Sequence, residues 1–293
     1  MNTKIKPDFS TLILLILFFA FTLLQCGTEL PTDQKAQSLN SNSVLINQAS
    51  TEATTDSAIV EKKQVPMATD PTVDTEYIMG KFNPVKHKDF VLIDKKLANR
   101  GGMYLRKQAY EDFKKMAAAA QKEGIKLTIV SATRAFDVQK GIWEGKWLGR
   151  RKIESNKDAS IAYPDPKTRA LKILEYSSMP GTSRHHWGTD IDINALTNSY
   201  FEKGTGLKVY EWLTKHAATY GYCQPYTAKG KDRPDGYNEE KWHWSYLPLS
   251  LPLTNQCKSH LKNEMISGFK GSEVATEIDV VGKYVLGINH SCQ

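Results

Sequence analysis

Two stretches of the chain repeat apolar residues at helical spacing. Leu105, Ala109, Phe113, Met116 and Ala120 recur every three or four positions with lysine and glutamate between them, and Gly124 follows as a stop signal. Val209, Trp212, Leu213, Ala217 and Tyr220 repeat the pattern and end at Gly221. Each predicts an amphipathic helix with one face in a core. Elsewhere the period falls to two. Residues 126–130 read as a short buried strand and 242–247 as an aromatic one. From Thr189 onward an extended chain sets Asp190, Asp192 and Asn194 on one face, with Ile191 and Ile193 on the other. Residues 227–238, with Gly230, Pro234 and Gly236, predict a loop. Helices mixed with short strands, without regular βαβ alternation or a glycine-rich phosphate loop, predict an α+β fold: a small antiparallel sheet flanked by helices.

The first 75 residues lack these patterns. Lys4 and Lys6 precede an apolar run over 11–24 that is too short to span a bilayer comfortably, which is the form of an export signal. Leu23-Leu24-Gln25-Cys26-Gly27 resembles a bacterial lipoprotein cleavage box with Cys26 as the lipid-bearing residue, although Leu24 and Gln25 are bulkier than such a box prefers. From Gly27 to Thr75 there is no Phe, Trp or Tyr, so the segment cannot bury enough apolar surface to offset its ordering entropy. The expected organisation is a signal peptide at 1–25, a lipid-anchored flexible tether at 26–75, a folded domain at 76–247 and a C-terminal extension at 248–293. Such a chain is exported to the cell envelope and held at the membrane surface through Cys26, facing the periplasm or cell wall.

Charge sharpens this division. The chain carries a formal +7, which becomes +6 once Lys4, Lys6 and Asp8 leave with the signal. Seven acidic residues against three lysines give the tether a net −4, leaving +10 from Glu76 onward. A basic exported domain has two readings: attraction to anionic wall polymers or headgroups, or plain solvation by scattered lysines. Nucleic acid is excluded as a partner, because export separates the chain from it and no basic run is interleaved with aromatics. No obligate protein partner is evident. Cys223, Cys257 and Cys292 allow one disulfide in an oxidising compartment, with the pairing open. The lack of Cys-x-x-Cys spacing argues against a thiolate zinc site.

The candidate chemistry lies in two stretches. In Ser183-Arg184-His185-His186-Trp187-Gly188-Thr189-Asp190-Ile191-Asp192, a turn at Gly188 would fold two histidines back over the carboxylates of the following strand. In Glu239-Glu240-Lys241-Trp242-His243-Trp244, His243 can complete a set of three nitrogen and oxygen ligands with His185 and Asp192, as zinc enzymes commonly use. Glu240 is the candidate base for amide hydrolysis. On a regular strand it would face away from His243, so it must lie on the bend before the strand.

Ser183-x-His185-x-x-Gly188 followed by Asp192, then Glu240-x-x-His243, resembles the paired motifs S-x-H-x-x-G-x-A-x-D and E-x-x-H of VanY-type D-Ala-D-Ala carboxypeptidases and their VanX dipeptidase relatives. The likeness runs from about Tyr77 to about Leu247. It implies one zinc ion per chain held by His185, Asp192 and His243, with Glu240 as catalytic base. It also implies an arginine upstream, in a pattern like S-x-x-R followed by Q, which Ser131-Ala132-Thr133-Arg134 and Gln139 match. Arg134 would stabilise negative charge at the scissile carbonyl or a terminal carboxylate. Ser183 and Gln139 are expected to meet substrate.

One departure stands inside the motif. Asp190 replaces the expected small residue, and it would either orient a ligand histidine from behind or compete for the metal. Spacing favours Asp192 as the ligand. His186 beside His185 is expected to support the site rather than ligate. The resemblance implies hydrolysis of peptidoglycan stem peptides, with release of terminal D-Ala. The alternatives are an endopeptidase of the same fold, or a wall-binding lipoprotein that keeps zinc for its fold, as hedgehog-like zinc domains are not all peptidases.

Overall fold

A computed structural model describes residues 74–293. The signal segment, Cys26 and all but the last two residues of the tether lie outside the described residues. Asp74 accepts a bond from the Glu76 amide and opens a single helical turn, α1 (Thr75–Ile78). An antiparallel pair follows, β1 (Phe90–Leu92) with β2 (Tyr104–Arg106), and β2 runs straight into α2 (Lys107–Lys122). Leu105, expected in that helix, therefore belongs to the strand. The Arg106 amide donates to the Gly188 carbonyl at 2.8 Å, which keeps the backbone extended up to the helix start. Ala109, Phe113, Met116 and Ala120 are buried as the spacing predicts, and Gly124 ends the helix at φ +73°.

The strand expected over 126–130 lies slightly later, as β3 (Ile129–Ser131). Three helices come next: α3 (Phe136–Trp147), α4 (Ala159–Ala162) and α5 (Pro166–Ile173). Then come β4 (Asp190–Ile193), α6 (Gly204–His216), β5 (Tyr222–Cys223), β6 (His243–Tyr246), α7 (Leu247–His260) and α8 (Ala275–Ile278). The second helical pattern ends as a 3-10 turn at Ala217–Tyr220, closed by Gly221 at φ +79°. Strands β3-β4-β6-β5 form one antiparallel sheet in that order, flanked by helices, and the fold is α+β.

Both faces of β4 are buried. Ile191 and Ile193 join a core with Phe113, Phe201, Leu213 and Trp244, while Asp190 and Asp192 turn to the other side. Asn194, expected to share the aspartate face, leaves it. At φ +63° it ends the strand, and its side chain accepts from the Thr128 amide and donates to the Lys126 carbonyl, tying β4 to the start of β3. The second core joins Trp143, Ile173 and Leu174 to Leu253, Phe269, Ile278 and Val285. Residues 248–293 are thus packed into the body of the domain. Cys223 is bonded to Cys292, while Cys257 stays a free, buried thiol pushed up to about 12 by burial. Among the described residues no helix is long and apolar enough to cross a membrane.

Candidate active site

The two histidines sit on one 3-10 turn, Arg184–Trp187, which stops at Gly188 in the left-handed region. A side chain at Gly188 would run into the Phe90 ring, so the turn requires glycine for space as well as for conformation. The turn points its histidines in different directions. His186 bridges backbone: its Nδ1 donates to the Arg134 carbonyl at 2.6 Å and its Nε2 accepts from the Gly181 amide at 3.0 Å. Burial lowers its pKa to about 3, so it is a neutral strut between two loops.

His185 faces the sheet. Its Nδ1 donates to the Ala132 carbonyl at 2.9 Å, which turns Nε2 toward Asp192 Oδ1, 3.3 Å away. Asp192 and His243 are direct partners across β4 and β6, and His243 Nδ1 lies 3.4 Å from the same oxygen. The ligand atoms of His185, Asp192 and His243 all fall within 4.8 Å of one another. His185 Nε2 and Asp192 Oδ1 are buried with no hydrogen-bond partner among the described residues. Leaving such groups unsatisfied is costly, and a cation between them would satisfy both. Two imidazole nitrogens and one carboxylate oxygen are a donor set suited to zinc. Burial opposes ionisation of Asp192, but His185, His243 and Arg134 outweigh it and hold the carboxyl at about 2. Burial, with Arg134 adding to it, lowers the pKa of His185 and so favours the neutral, ligating imidazole.

Asp190 is fully engaged elsewhere. Its Oδ2 accepts from His243 Nε2 at 2.9 Å and Arg184 Nε at 3.1 Å, and its Oδ1 accepts from Ser245 Oγ at 2.8 Å and Thr189 Oγ1 at 2.7 Å. Burial pushes this carboxyl up, yet the Arg184 guanidinium and His243 overcome that and hold it far below the usual range. Arg184 is itself completely buried, bonded to Thr254 Oγ1 and Ser245 Oγ and stacked on Trp187. Of the two roles open to Asp190, this geometry favours orienting His243. It leaves no free lone pair directed at a metal.

Glu240 lies just before β6, on a turn closed by the bond from the His243 amide to the Glu240 carbonyl. Its Oε2 comes within 3.1 Å of His243 Nδ1, and burial raises its pKa. The bend required for Glu240 and His243 to share a side is therefore present. These groups open into a cleft of about 480 Å³. Arg134 reaches it from the loop after β3, its guanidinium 3.0 Å from Ser131 Oγ and 3.8 Å from Asp192 Oδ2. Gln139 enters from α3 with its Nε2 bonded to the Ser178 carbonyl, and Ser183 lines the same wall.

Further lining residues escape the sequence reading, among them two tyrosines behind His243. Tyr226 stands edge-on to His243 with ring centroids 4.7 Å apart, and Tyr237 stands edge-on to Tyr226 at 4.9 Å. Buried tyrosines flanking a stretch of Gly, Pro, Lys and Asp are a signal that the segment folds inward, but no periodicity marks it.

A family model described as VanY, D-alanyl-D-alanine carboxypeptidase, matches residues 102–249. The chain belongs to that family. The match includes every metal-set residue and Glu240, Arg134, Gln139 and Ser183. A protein of Bacillus subtilis (strain 168) named "Putative carboxypeptidase YodJ" is 30% identical over 148 residues, 49% of this chain and 46% of its own. A D-alanyl-D-alanine carboxypeptidase of Enterococcus faecalis (strain ATCC 700802 / V583) is 27% identical over 131 residues, covering 45% and 44%. The chain spans about half the length of these curated relatives. A solved structure of the LdcB LD-carboxypeptidase aligns with a TM-score of 0.43 at 24% identity, covering 59% of this chain and 74% of that one.

Proposed function

We propose that the protein is a zinc-dependent carboxypeptidase that removes the terminal D-alanine from peptidoglycan stem peptides. The observation that carries this reading is a set of unsatisfied atoms beside the metal ligands. Arg134 Nε, Gln139 Oε1 and the Tyr237 hydroxyl are buried in the cleft wall, and none closes a hydrogen bond of good geometry. Two can donate and one accepts. A peptide's last residue has the complementary groups: a carboxylate for Arg134 and Tyr237, and an amide N–H for Gln139. An internal peptide bond has no such carboxylate.

His185 Nε2, Asp192 and His243 Nδ1 would hold one zinc ion per chain. Zinc bound there supplies Lewis-acid polarisation of the scissile carbonyl. Glu240 Oε2 takes the proton of the attacking water and hands it to the leaving amine; its raised pKa makes it a better acceptor than an exposed glutamate. Asp190 keeps Nδ1 of His243 turned inward, and His186 fixes the backbone of Arg134. Arg134, charged and 3.8 Å from Asp192, is close enough to stabilise an oxyanion or orient the terminal carboxylate.

Two measurements test this. Mass spectrometry of a stem pentapeptide after incubation should detect loss of one alanine, and amidating its C-terminus should slow cleavage about 10²-fold or more, because the partly buried Arg134 loses a charged partner. Equal rates on both peptides would point instead to an endopeptidase. The reading includes an address. Removal of 1–25, acylation of Cys26 and a tether over 26–75 would hold the enzyme within reach of the wall, and the Cys223–Cys292 bond suits an oxidising compartment. Cells fed a clickable fatty acid should label the protein, and Cys26→Ala should abolish the label.

A further inference from the structure

The family match ends at residue 249, but the support of the cleft wall does not. Residues 224–240 bring Tyr226, Tyr237 and Glu240 to the cleft without joining a sheet; among the described residues the isolated bridge between Gly230 and Arg233 is their sole strand-like pairing. Their outer side is held by the end of the chain. The Asn289 amide donates to the Pro225 carbonyl at 2.8 Å, and its side chain donates to the Gln224 carbonyl at 3.3 Å. Backbones at Gly236 and Gly287 approach so closely that a Cβ on Gly236 would run into the Gly287 carbonyl. The Tyr284 ring stands edge-on to Tyr237 at 5.2 Å, and Cys292 is bonded to Cys223 in β5.

The inner side continues from these contacts. Gln224 Nε2 donates to the carbonyls of both Tyr226 and Glu240, at 3.1 and 3.2 Å, and the Glu240 amide donates to the Tyr226 carbonyl at 2.9 Å. Only Gln224 and its neighbour Pro225 separate the tail from the backbone of Glu240. Only one ring separates Tyr284 from the cleft.

We infer that residues 281–292 form a positioning strap for this reaction. Tyr284 sets the place of the Tyr237 ring, while Asn289 and the Cys223–Cys292 link hold Gln224, from which the backbones of Tyr226 and Glu240 hang. None of Tyr284, Asn289 or Cys292 lines the cleft, so the strap acts through Tyr237 and Glu240. It rests on the carboxypeptidase reading for its kinetic consequence. Its structural consequence, a stiffened wall, does not. A shift of an ångström in a positioned group can cost about 10²-fold in rate, so a brace outside the catalytic segment is effective without touching substrate.

The test compares wild type with Tyr284→Ala, Tyr284→Phe and Cys223→Ser/Cys292→Ser, all as full domains. Tyr284→Ala should raise KM for a stem pentapeptide about tenfold, the scale of one hydrogen bond from Tyr237, with zinc content unchanged. Tyr284→Phe, which keeps the ring, should restore wild-type KM. The cysteine pair variant should lower kcat and speed amide hydrogen exchange at Glu240, but not at Ile191 in the sheet. Wild-type kinetics in both Tyr284→Ala and the cysteine variant would overturn the strap. So would a loss of activity in strict proportion to lost zinc. If the wild-type protein cleaves no peptide, the carboxypeptidase reading fails by itself. The strap is then judged on exchange alone, and unchanged protection at Glu240 in the cysteine variant would refute it.

Discussion

Replacing Glu240 by glutamine is expected to lower kcat on a stem pentapeptide by about 10² to 10⁴ while one zinc ion stays bound. Glutamine keeps the volume and polarity of the side chain but cannot take a proton from water. The expectation depends on position: Glu240 Oε2 lies 3.1 Å from His243 Nδ1, at the mouth of the metal set. It also depends on burial, which raises the Glu240 pKa. As pH falls through that pKa the base is lost, so kcat/KM of the wild type should have an acid limb. The glutamine variant should lack it, since its remaining activity needs no base. Metal analysis accompanies the kinetics. A variant that loses zinc and activity together would make Glu240 a structural support of the site. A variant as active as wild type would remove it from the mechanism and leave the wall-binding alternative in front.

The parts of this site that are legible in sequence are those governed by short-range geometry. Asp192 and His185 are separated by a glycine-closed turn and a few strand residues, so their spacing nearly determines that they meet. His243 and Glu240 are legible for the same reason, three residues apart across a bend. What joins the two pairs is the β4–β6 register, which sets Asp192 opposite His243. Register depends on partners 51 to 55 residues apart and leaves no local signature. The same limit hid Asn194. A two-residue period extends the strand through it, but its bonds to residues 126 and 128 make a left-handed corner favourable there. Leu105 fits a helical period as well as it fits a strand, and the pairing of β2 with β1 decides against the helix. Tyr226 and Tyr237 were invisible as site residues because a long, polar, glycine-containing segment looks like a surface loop. It folds inward because a tail far along the chain holds it there.

Asp190→Asn is the second change with a large expected effect, and it acts on zinc rather than on the peptide. Asp190 accepts from His243 Nε2 on the side away from the cleft, the arrangement in which a carboxylate fixes the ring and raises the basicity of the other nitrogen. Removing its charge should weaken zinc binding by about 10- to 100-fold, measured by competition with a chelating dye. It also strands Arg184, whose side chain is wholly buried against Asp190. An uncompensated buried charge costs roughly 3–5 kcal/mol, so the melting temperature should drop on the order of 10 °C. Thr254→Ala provides the contrast: it removes one partner of Arg184 but no charge, and should leave zinc affinity unchanged.

The pH dependence separates the two consequences. In the zinc-free protein burial would lower the His243 pKa, but hydrogen bonds to Asp190 and Glu240 raise it from 6.5 to about 9. A pKa raised on folding stabilises the zinc-free protein fully below 6.5, and that contribution is lost as pH climbs to about 9. Zinc at Nδ1 must displace the proton, so wild-type affinity should rise with pH up to about 9. With asparagine at 190 the His243 pKa falls, Glu240 and Asp192 alone still raising it, and both slopes should shift to lower pH and weaken. A variant that melts lower but keeps both slopes and its zinc affinity would leave Asp190 as a partner of Arg184 alone, and the orientation of His243 would have to come from Glu240.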